Sequence, residues 1–191
     1  MNFYKTDIEG LIICEPQLHG DSRGYFMETF RQDKLENLLG YRINFCQDNE
    51  SKSDRGVLRG LHYQLPPYAQ TKLVRVVKGR VLDVAVDIRR GSPTFGQHIA
   101  VELSGENRRE LLIPRGFAHG FVVLEDNTIF AYKVDSYYSP ESDRGILYSD
   151  IDLDIDWRLD RDEIILSDRD RVHPKLNEVI ELFEYGANYY V

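Results

Sequence analysis

Between Leu73 and Val134 the chain returns again and again to a period-two alternation of apolar residues, with no helical pattern in between. Leu82, Val84, Val86 and Ile88 fall on one face of an extended segment, with Val81, Asp83, Ala85 and Asp87 on the other. The runs Gln97–Leu103, Glu110–Ile113, Gly120–Leu124 and Thr128–Val134 read the same way. Turn signals at Arg90-Gly-Ser-Pro93, Ser104-Gly-Glu-Asn107 and Glu125-Asp-Asn127 separate them. Lys78-Gly79-Arg80 breaks the stretch Leu73–Ile88 in hairpin fashion. Short strands at this spacing predict a mainly β fold, a sandwich or barrel. Two helices are expected to flank it. Gln32–Leu39 carries Leu35, Leu38 and Leu39 and stops at Gly40, and Pro174–Tyr185 repeats Leu176, Val179, Ile180 and Phe183 before Gly186.

With 191 residues and no linker, repeat or low-complexity block, the chain reads as one domain, residues 1–191. A net charge of −8 opposes binding to nucleic acid or an anionic membrane, so neither is an expected partner. Cys14 and Cys46 form no CxxC and no disulfide framework, which suits reduced thiols. No apolar stretch is long enough to span a bilayer and the first residues hold no apolar signal core, so a cytoplasmic location is expected.

Against this acidic background one run is cationic. Arg55-Gly-Val-Leu-Arg59-Gly-Leu-His62-Tyr-Gln64 is followed by Lys72, which suits an enzyme handling a phosphorylated, anionic small molecule. Arg59 and His62 are an odd number of residues apart, so a regular strand would place them on opposite faces. Gly60 permits a bulge that brings them to one side. Taken by itself, Phe45-Cys-Gln47-Asp48-Asn49-Glu50-Ser-Lys-Ser53 reads as a surface loop with Asx turns. Tyr132 is in phase with Thr128, Phe130 and Val134, on the face that would fill a barrel.

Pro114-Arg-Gly-Phe-Ala-His119 fits the second motif of cupin β-barrels, P-x-G-x-x-H. Many cupins bind a transition metal through a first motif, G-x5-H-x-H. Gly56 and His62 keep that register here, but Gln64 stands where the second histidine belongs, so a metal site of this kind lacks ligands and no metal is expected. Asp150-Ile-Asp-Leu-Asp-Ile-Asp156 imitates a calcium loop, but Trp157 replaces the glycine of its tight turn. An amphipathic strand with a solvated acidic face is expected there.

Together these segments resemble the dTDP-4-dehydrorhamnose 3,5-epimerase family. The matching stretches are Gly20–Glu28, Gln47-Asp48-Asn49, Val57–Gln64, Lys72–Gly79, Pro114–Phe121, Tyr137–Gly145 and Leu166–Asp170. The resemblance implies a cupin-like β-barrel (jelly roll), a homodimer, no cofactor and a dTDP-4-keto-6-deoxyhexose substrate. It implies His62 as the base that removes the protons flanking the keto group, with Asp170 holding its imidazole. Lys72 would stabilise the enolate and Tyr132 would return a proton from the opposite face. His119 would hydrogen-bond the sugar or enolate. Arg23, Arg59 and Arg169 match positions tied to the nucleotide and diphosphate, Glu28, Gln47 and Asn49 the thymidine neighbourhood, Tyr138 the sugar pocket, and Asp143 a further substrate-binding position. The family often has Glu at the position of Asp143 and Lys at that of Arg169. The alternatives are a relative epimerising C3 or C5 alone, a metal-dependent cupin and a non-catalytic sugar-nucleotide binder.

Overall fold

The computed structural model describes residues 1–190. Six antiparallel strands form one sheet in the order β1 (Asn2–Lys5), β2 (Ile12–Glu15), β11 (Glu110–Ile113), β7 (Lys72–Lys78), β13 (Thr128–Val134) and β5 (Gln47–Ser53). Five more form a second sheet in the order β10 (His98–Ser104), β8 (Arg80–Asp87), β12 (Phe117–Val123), β6 (Leu58–Gln64) and β14 (Asp143–Gly145). Two small ribbons complete the set. β3 (Leu18–Asp21) pairs with β4 (Gly24–Met27), and β9 (Arg89–Arg90) pairs in parallel with β15 (Phe183–Glu184).

The two sheets face each other across one apolar layer. Val74, Val76, Leu111, Ile113 and Phe130 come from the first sheet, and Val81, Ala85, Leu103, Phe121 and Val123 from the second. Phe121 and Phe130 stack across the layer at 4.0 Å between ring centroids, and burying a ring such as Phe130 contributes roughly 2–3 kcal/mol. The alternation read at residues 81–88 thus has a consequence on both sides. Val81 and Ala85 enter the inter-sheet layer, while Leu82, Val84, Val86 and Ile88 face an outer core closed by Ile146, Leu153, Trp157, Leu176 and Phe183. The expected mainly β, cupin-like architecture is the one observed.

Several local expectations change. The chain about Gly79 is not a hairpin: β7 and β8 do not pair, and the turn carries the chain from one sheet to the other. Each strand finds stronger partners elsewhere, β7 between β11 and β13 and β8 between β10 and β12. β12 begins three residues earlier than Gly120, and Gln47–Ser53 is an edge strand rather than a loop, because β13 supplies a full ladder to it.

Of the two expected helices, Gln32–Leu39 forms as α1 and closes at Gly40, whose φ is +76°. Pro174–Tyr185 does not form a helix. A 3-10 turn spans Leu176–Glu178 and the chain then runs extended into β15. Its backbone is claimed from outside: Asp150 accepts the Leu176 N–H, and Arg90 donates to the Val179 and Ile180 carbonyls. The solvated acidic strand expected at Asp150–Asp156 is instead a series of turns in which Asp150 is buried and Leu153 and Trp157 enter the outer core. Among the described residues no helix is long and apolar enough to cross a membrane.

Candidate active site

The sheets bring polar groups together where β6, β7, β12 and β13 face one another. β6 carries Arg59, His62 and Gln64, and its pairing with β12 matches His119 to His62 but Phe121 to Arg59. Three residues on one strand therefore span two on the other, which is the bulge that Gly60 allows. Gly60 has φ +124°, and a Cβ there would lie 2.5 Å from the Gly120 Cα, so only glycine fits. Arg59 consequently reaches across to donate to Ser53 Oγ on β5 at 3.1 Å, and its charge opposes the rise in the Tyr132 pKa.

His62 Nε2 lies 2.5 Å from Asp170 Oδ1. Asp170 is buried. Burial alone would raise its pKa, but the nearby His173 ring and the hydrogen bond from His62 outweigh that and hold the carboxyl well below the usual range. It is therefore an anion that accepts a proton donor from the imidazole, which leaves the lone pair of His62 on Nδ1. Ser167 Oγ donates to Asp170 Oδ2 at 2.8 Å and fixes the carboxylate plane.

On the opposite sheet Lys72 is partly buried at the start of β7, and desolvation lowers its pKa to about 8 despite the charges of Asp143 and Asp83. Burial pushes the Tyr132 phenol upward, so it holds its proton. His119 is buried with Nε2 2.9 Å from Asp83 Oδ2. Desolvation lowers its pKa, and Lys72 and His62 add to this against the pull of Asp83, so its ring is neutral.

Asp143 Oδ2 accepts the Tyr138 hydroxyl at 2.9 Å and pairs with Arg169 Nη1 at 2.5 Å. The two positions that depart from the family's usual residues are thus bonded to each other, the shorter acid meeting the longer, forked cation. Gln47 donates to Asn49 Oδ1 at 2.7 Å on β5, whose register sets Asn49 beside Tyr132. Arg23 and Glu28 stand apart. Arg23 lies at the exposed tip of the β3–β4 ribbon, paired with Asp21, and Glu28 pairs with Arg31 and Lys34.

Gln64, at the place of a metal-binding cupin's second histidine, is taken up by backbone groups. Its Nε2 donates to the Tyr68 and Tyr137 carbonyls at 2.6 and 3.1 Å, and its Oε1 accepts the Ser139 N–H at 2.8 Å. The residue at the second-histidine position is a fully engaged brace that holds the loop bearing Tyr138. Asp83, Ser167 and His173 were not singled out by the sequence reading. Asp83 was visible as an acid inside an apolar alternation, and Ser167 and His173 flank Asp170 at three residues on either side.

Fold and site define a cupin-like enzyme built for proton transfer on an anionic ligand, with cationic groups around an imidazole–carboxylate pair. The model of the dTDP-4-dehydrorhamnose 3,5-epimerase family matches residues 5–178. The dTDP-4-dehydrorhamnose 3,5-epimerase of Shigella flexneri is 55% identical over 170 residues, 89% of this chain and 93% of that one. A Legionella pneumophila dTDP-6-deoxy-D-glucose-3,5-epimerase, solved in complex with dTDP-4-keto-L-rhamnose, superposes with a TM-score of 0.93 at 51% identity, covering 97% of this chain and 99% of that one. A 3'-monoepimerase from Streptomyces bikiniensis, solved with dTDP-quinovose, gives 0.85 at 36% identity, covering 90% and 86%. The chain belongs to the dTDP-4-dehydrorhamnose 3,5-epimerase family.

Proposed function

We propose that this chain epimerises C3 and C5 of dTDP-4-dehydro-6-deoxy-D-glucose, giving dTDP-4-dehydro-L-rhamnose for dTDP-L-rhamnose biosynthesis. The observation that carries the reading is the division of labour between facing sheets. The imidazole paired with a carboxylate comes from β6, and the ammonium and phenol come from β7 and β13. Both C3 and C5 flank the keto carbon, so removing either proton leaves an enolate. His62 takes the proton on Nδ1 while Asp170 supports the imidazolium that forms. Lys72 stabilises the enolate oxygen, where charge develops. Inversion requires a proton from the other face, and Tyr132 stands on the opposite sheet with its proton retained.

His119, neutral and held by Asp83, donates or accepts a hydrogen bond at the sugar. Arg59 and Arg169 serve the diphosphate, and Gln47 and Asn49 the base, with Tyr138 and Asp143 at the sugar pocket. Metal, cofactor, nucleic acid and membrane have no part in this scheme. The chain works as a cytoplasmic homodimer. Supporting features are its unpaired cysteines and the β3–β4 ribbon, which exposes Tyr25 and Phe26 beside Arg23. In a dimer that ribbon, with Arg23, and the nearby Glu28 would meet the second copy.

The test is incubation with the 4-keto sugar nucleotide in deuterium oxide, followed by NMR. Deuterium is expected at both C3 and C5. His62→Asn abolishes exchange, and Tyr132→Phe slows inversion more than proton loss. Label at one centre alone supports the second reading, a mono-epimerase, since the Streptomyces 3'-monoepimerase has the same fold. Label at neither centre removes both readings.

A further inference from the structure

Asp170 serves two imidazoles. Its Oδ1 lies 2.5 Å from His62 Nε2 and 3.4 Å from His173 Nε2, and the donor atoms of the three residues lie within 4.8 Å of one another. The rings meet edge to face, with centroids 5.6 Å apart. His173 Nε2 is buried and makes no well-directed hydrogen bond among the described residues. Its ring occupies space that a side chain at position 145 would fill, since a Cβ on Gly145 would come within 2.3 Å of that nitrogen. Ser167 occupies Oδ2, so Oδ1 is the oxygen left facing both imidazoles.

We infer that His62, Asp170 and His173 form a zinc-binding site that inhibits the enzyme by capturing its base. Two imidazoles and one carboxylate, the latter oriented by an outer hydroxyl, make the donor set of a three-ligand zinc site with an open fourth position. Imidazole donors favour zinc over magnesium or calcium. Zinc bonds of about 2.0–2.1 Å in a tetrahedron put ligand atoms roughly 3.3 Å apart. The His173–Asp170 separation already has that value, and the His62–Asp170 contact must open by less than about 1 Å. His62 is the most exposed of the three and gives the ion its way in. This triangle shares only His62 with the usual cupin metal position, whose other places are taken up, Gln64 being engaged with backbone and His119 with Asp83.

The inhibition, but not the binding, rests on His62 being the base. In the free site Asp170 accepts from Nε2–H and the lone pair is on Nδ1. Zinc takes the Nε2 lone pair, so the imidazole proton moves to Nδ1. Nothing is oxidised or reduced and no proton is lost, but Nδ1 can no longer accept one.

Two measurements on the full chain test this. Cobalt(II), as a spectroscopic stand-in, is titrated while its visible bands are followed, and zinc is titrated by calorimetry. The deuterium-exchange assay is run with zinc chloride and then with chelator. A tetrahedral cobalt spectrum is expected, with exchange slowed at least tenfold by zinc and restored by chelation. His173→Gln keeps a donor of similar reach but supplies a poor ligand, and should weaken zinc and cobalt at least tenfold. Asp170→Asn should do the same, read by cobalt whatever its activity, with melting curves confirming the fold of both variants. Absence of metal binding, or binding that both variants leave unchanged, overturns the site. Binding at the site without inhibition overturns the inhibitory role alone. Should the chain show no epimerase activity, the cobalt titration still decides the site.

Discussion

Replacing Lys72 by methionine should make the protein more stable and nearly inactive. The ammonium is partly buried, and desolvation brings its pKa from 10.5 to about 8. A group whose folded pKa is depressed binds fewer protons folded than unfolded between those values, so stability rises with pH across pH 8 to 10.5. Below pH 8 the full penalty is present. At about 1.4 kcal/mol per pH unit it is roughly 3 kcal/mol. Methionine has similar length and no charge, but its introduction deprives Asp83 and Asp143 of an attractive cation, so a net gain of about 1–3 kcal/mol is expected at pH 7. For a chain of this size that is roughly 3–10 °C in Tm.

Thermal unfolding followed by circular dichroism, wild type beside variant, reads the gain directly. Taking the difference cancels the other titrating groups, and the advantage should shrink by roughly 2 kcal/mol on going from pH 7 to 9.5. Turnover should fall about 10²–10³-fold, the usual cost of losing one donor to a developing oxyanion. The alkaline decline of wild-type turnover, set near pH 8 by loss of the ammonium, should move upward in Lys72→Arg. A Lys72→Met protein less stable than wild type at pH 7, or an advantage unchanged at pH 9.5, would refute the reasoning.

Two further outcomes are open to measurement. Glu110 is buried on the outer side of the six-stranded sheet with neither carboxylate oxygen hydrogen-bonded among the described residues, and desolvation raises its pKa to about 8 despite Arg75 and Lys133. The folded state then holds more protons than the unfolded one between pH 4.5 and 8. Its contribution to stability therefore falls as pH rises through that window, and Glu110→Gln should gain on the order of 2–3 kcal/mol at pH 7 and almost nothing at pH 4.5 in denaturant titrations. Gly60→Ala should cost roughly 3 kcal/mol or more and lower activity by displacing His62, because the added carbon meets the Gly120 backbone at a φ of +124°. An alanine variant of wild-type stability and rate would show that the bulge is dispensable.

The site combines a polar cluster with a restrained electrostatic balance. Lys72 feels the charge of two carboxylates, Asp83 and Asp143, and each of these has its own local partner, His119 and Arg169. Desolvation brings the ammonium close to losing its proton while the two carboxylates oppose that loss, which favours interaction with charge that appears only during reaction. Gln64 adds to the same end by bracing the loop from Tyr137 to Ser139.

By itself the sequence determined which residues alternate and which chemistry they carry. Period-two burial is a local property of an extended chain, so β8, β10, β11 and β13 were legible within a residue or so, and α1 was marked by its leucines and Gly40. Gln64 was equally legible, since a missing ligand is visible in one line of sequence. Only the tertiary structure decided how those pieces meet. Whether Gly79 turns a hairpin or crosses between sheets depends on partners such as β11 and β12, which lie far along the chain. The stretch from Pro174 to Tyr185 kept Leu176, Val179 and Phe183 at the core but left Ile180 exposed and lost its helix, because Asp150 and Arg90 claim its backbone groups. The central pair shows the same division: His62 and Asp170 are 108 residues apart, and nothing local in either segment specifies a 2.5 Å contact, or the presence of His173 beside it. Local pattern sets which face a side chain takes, and long-range packing sets what that face touches.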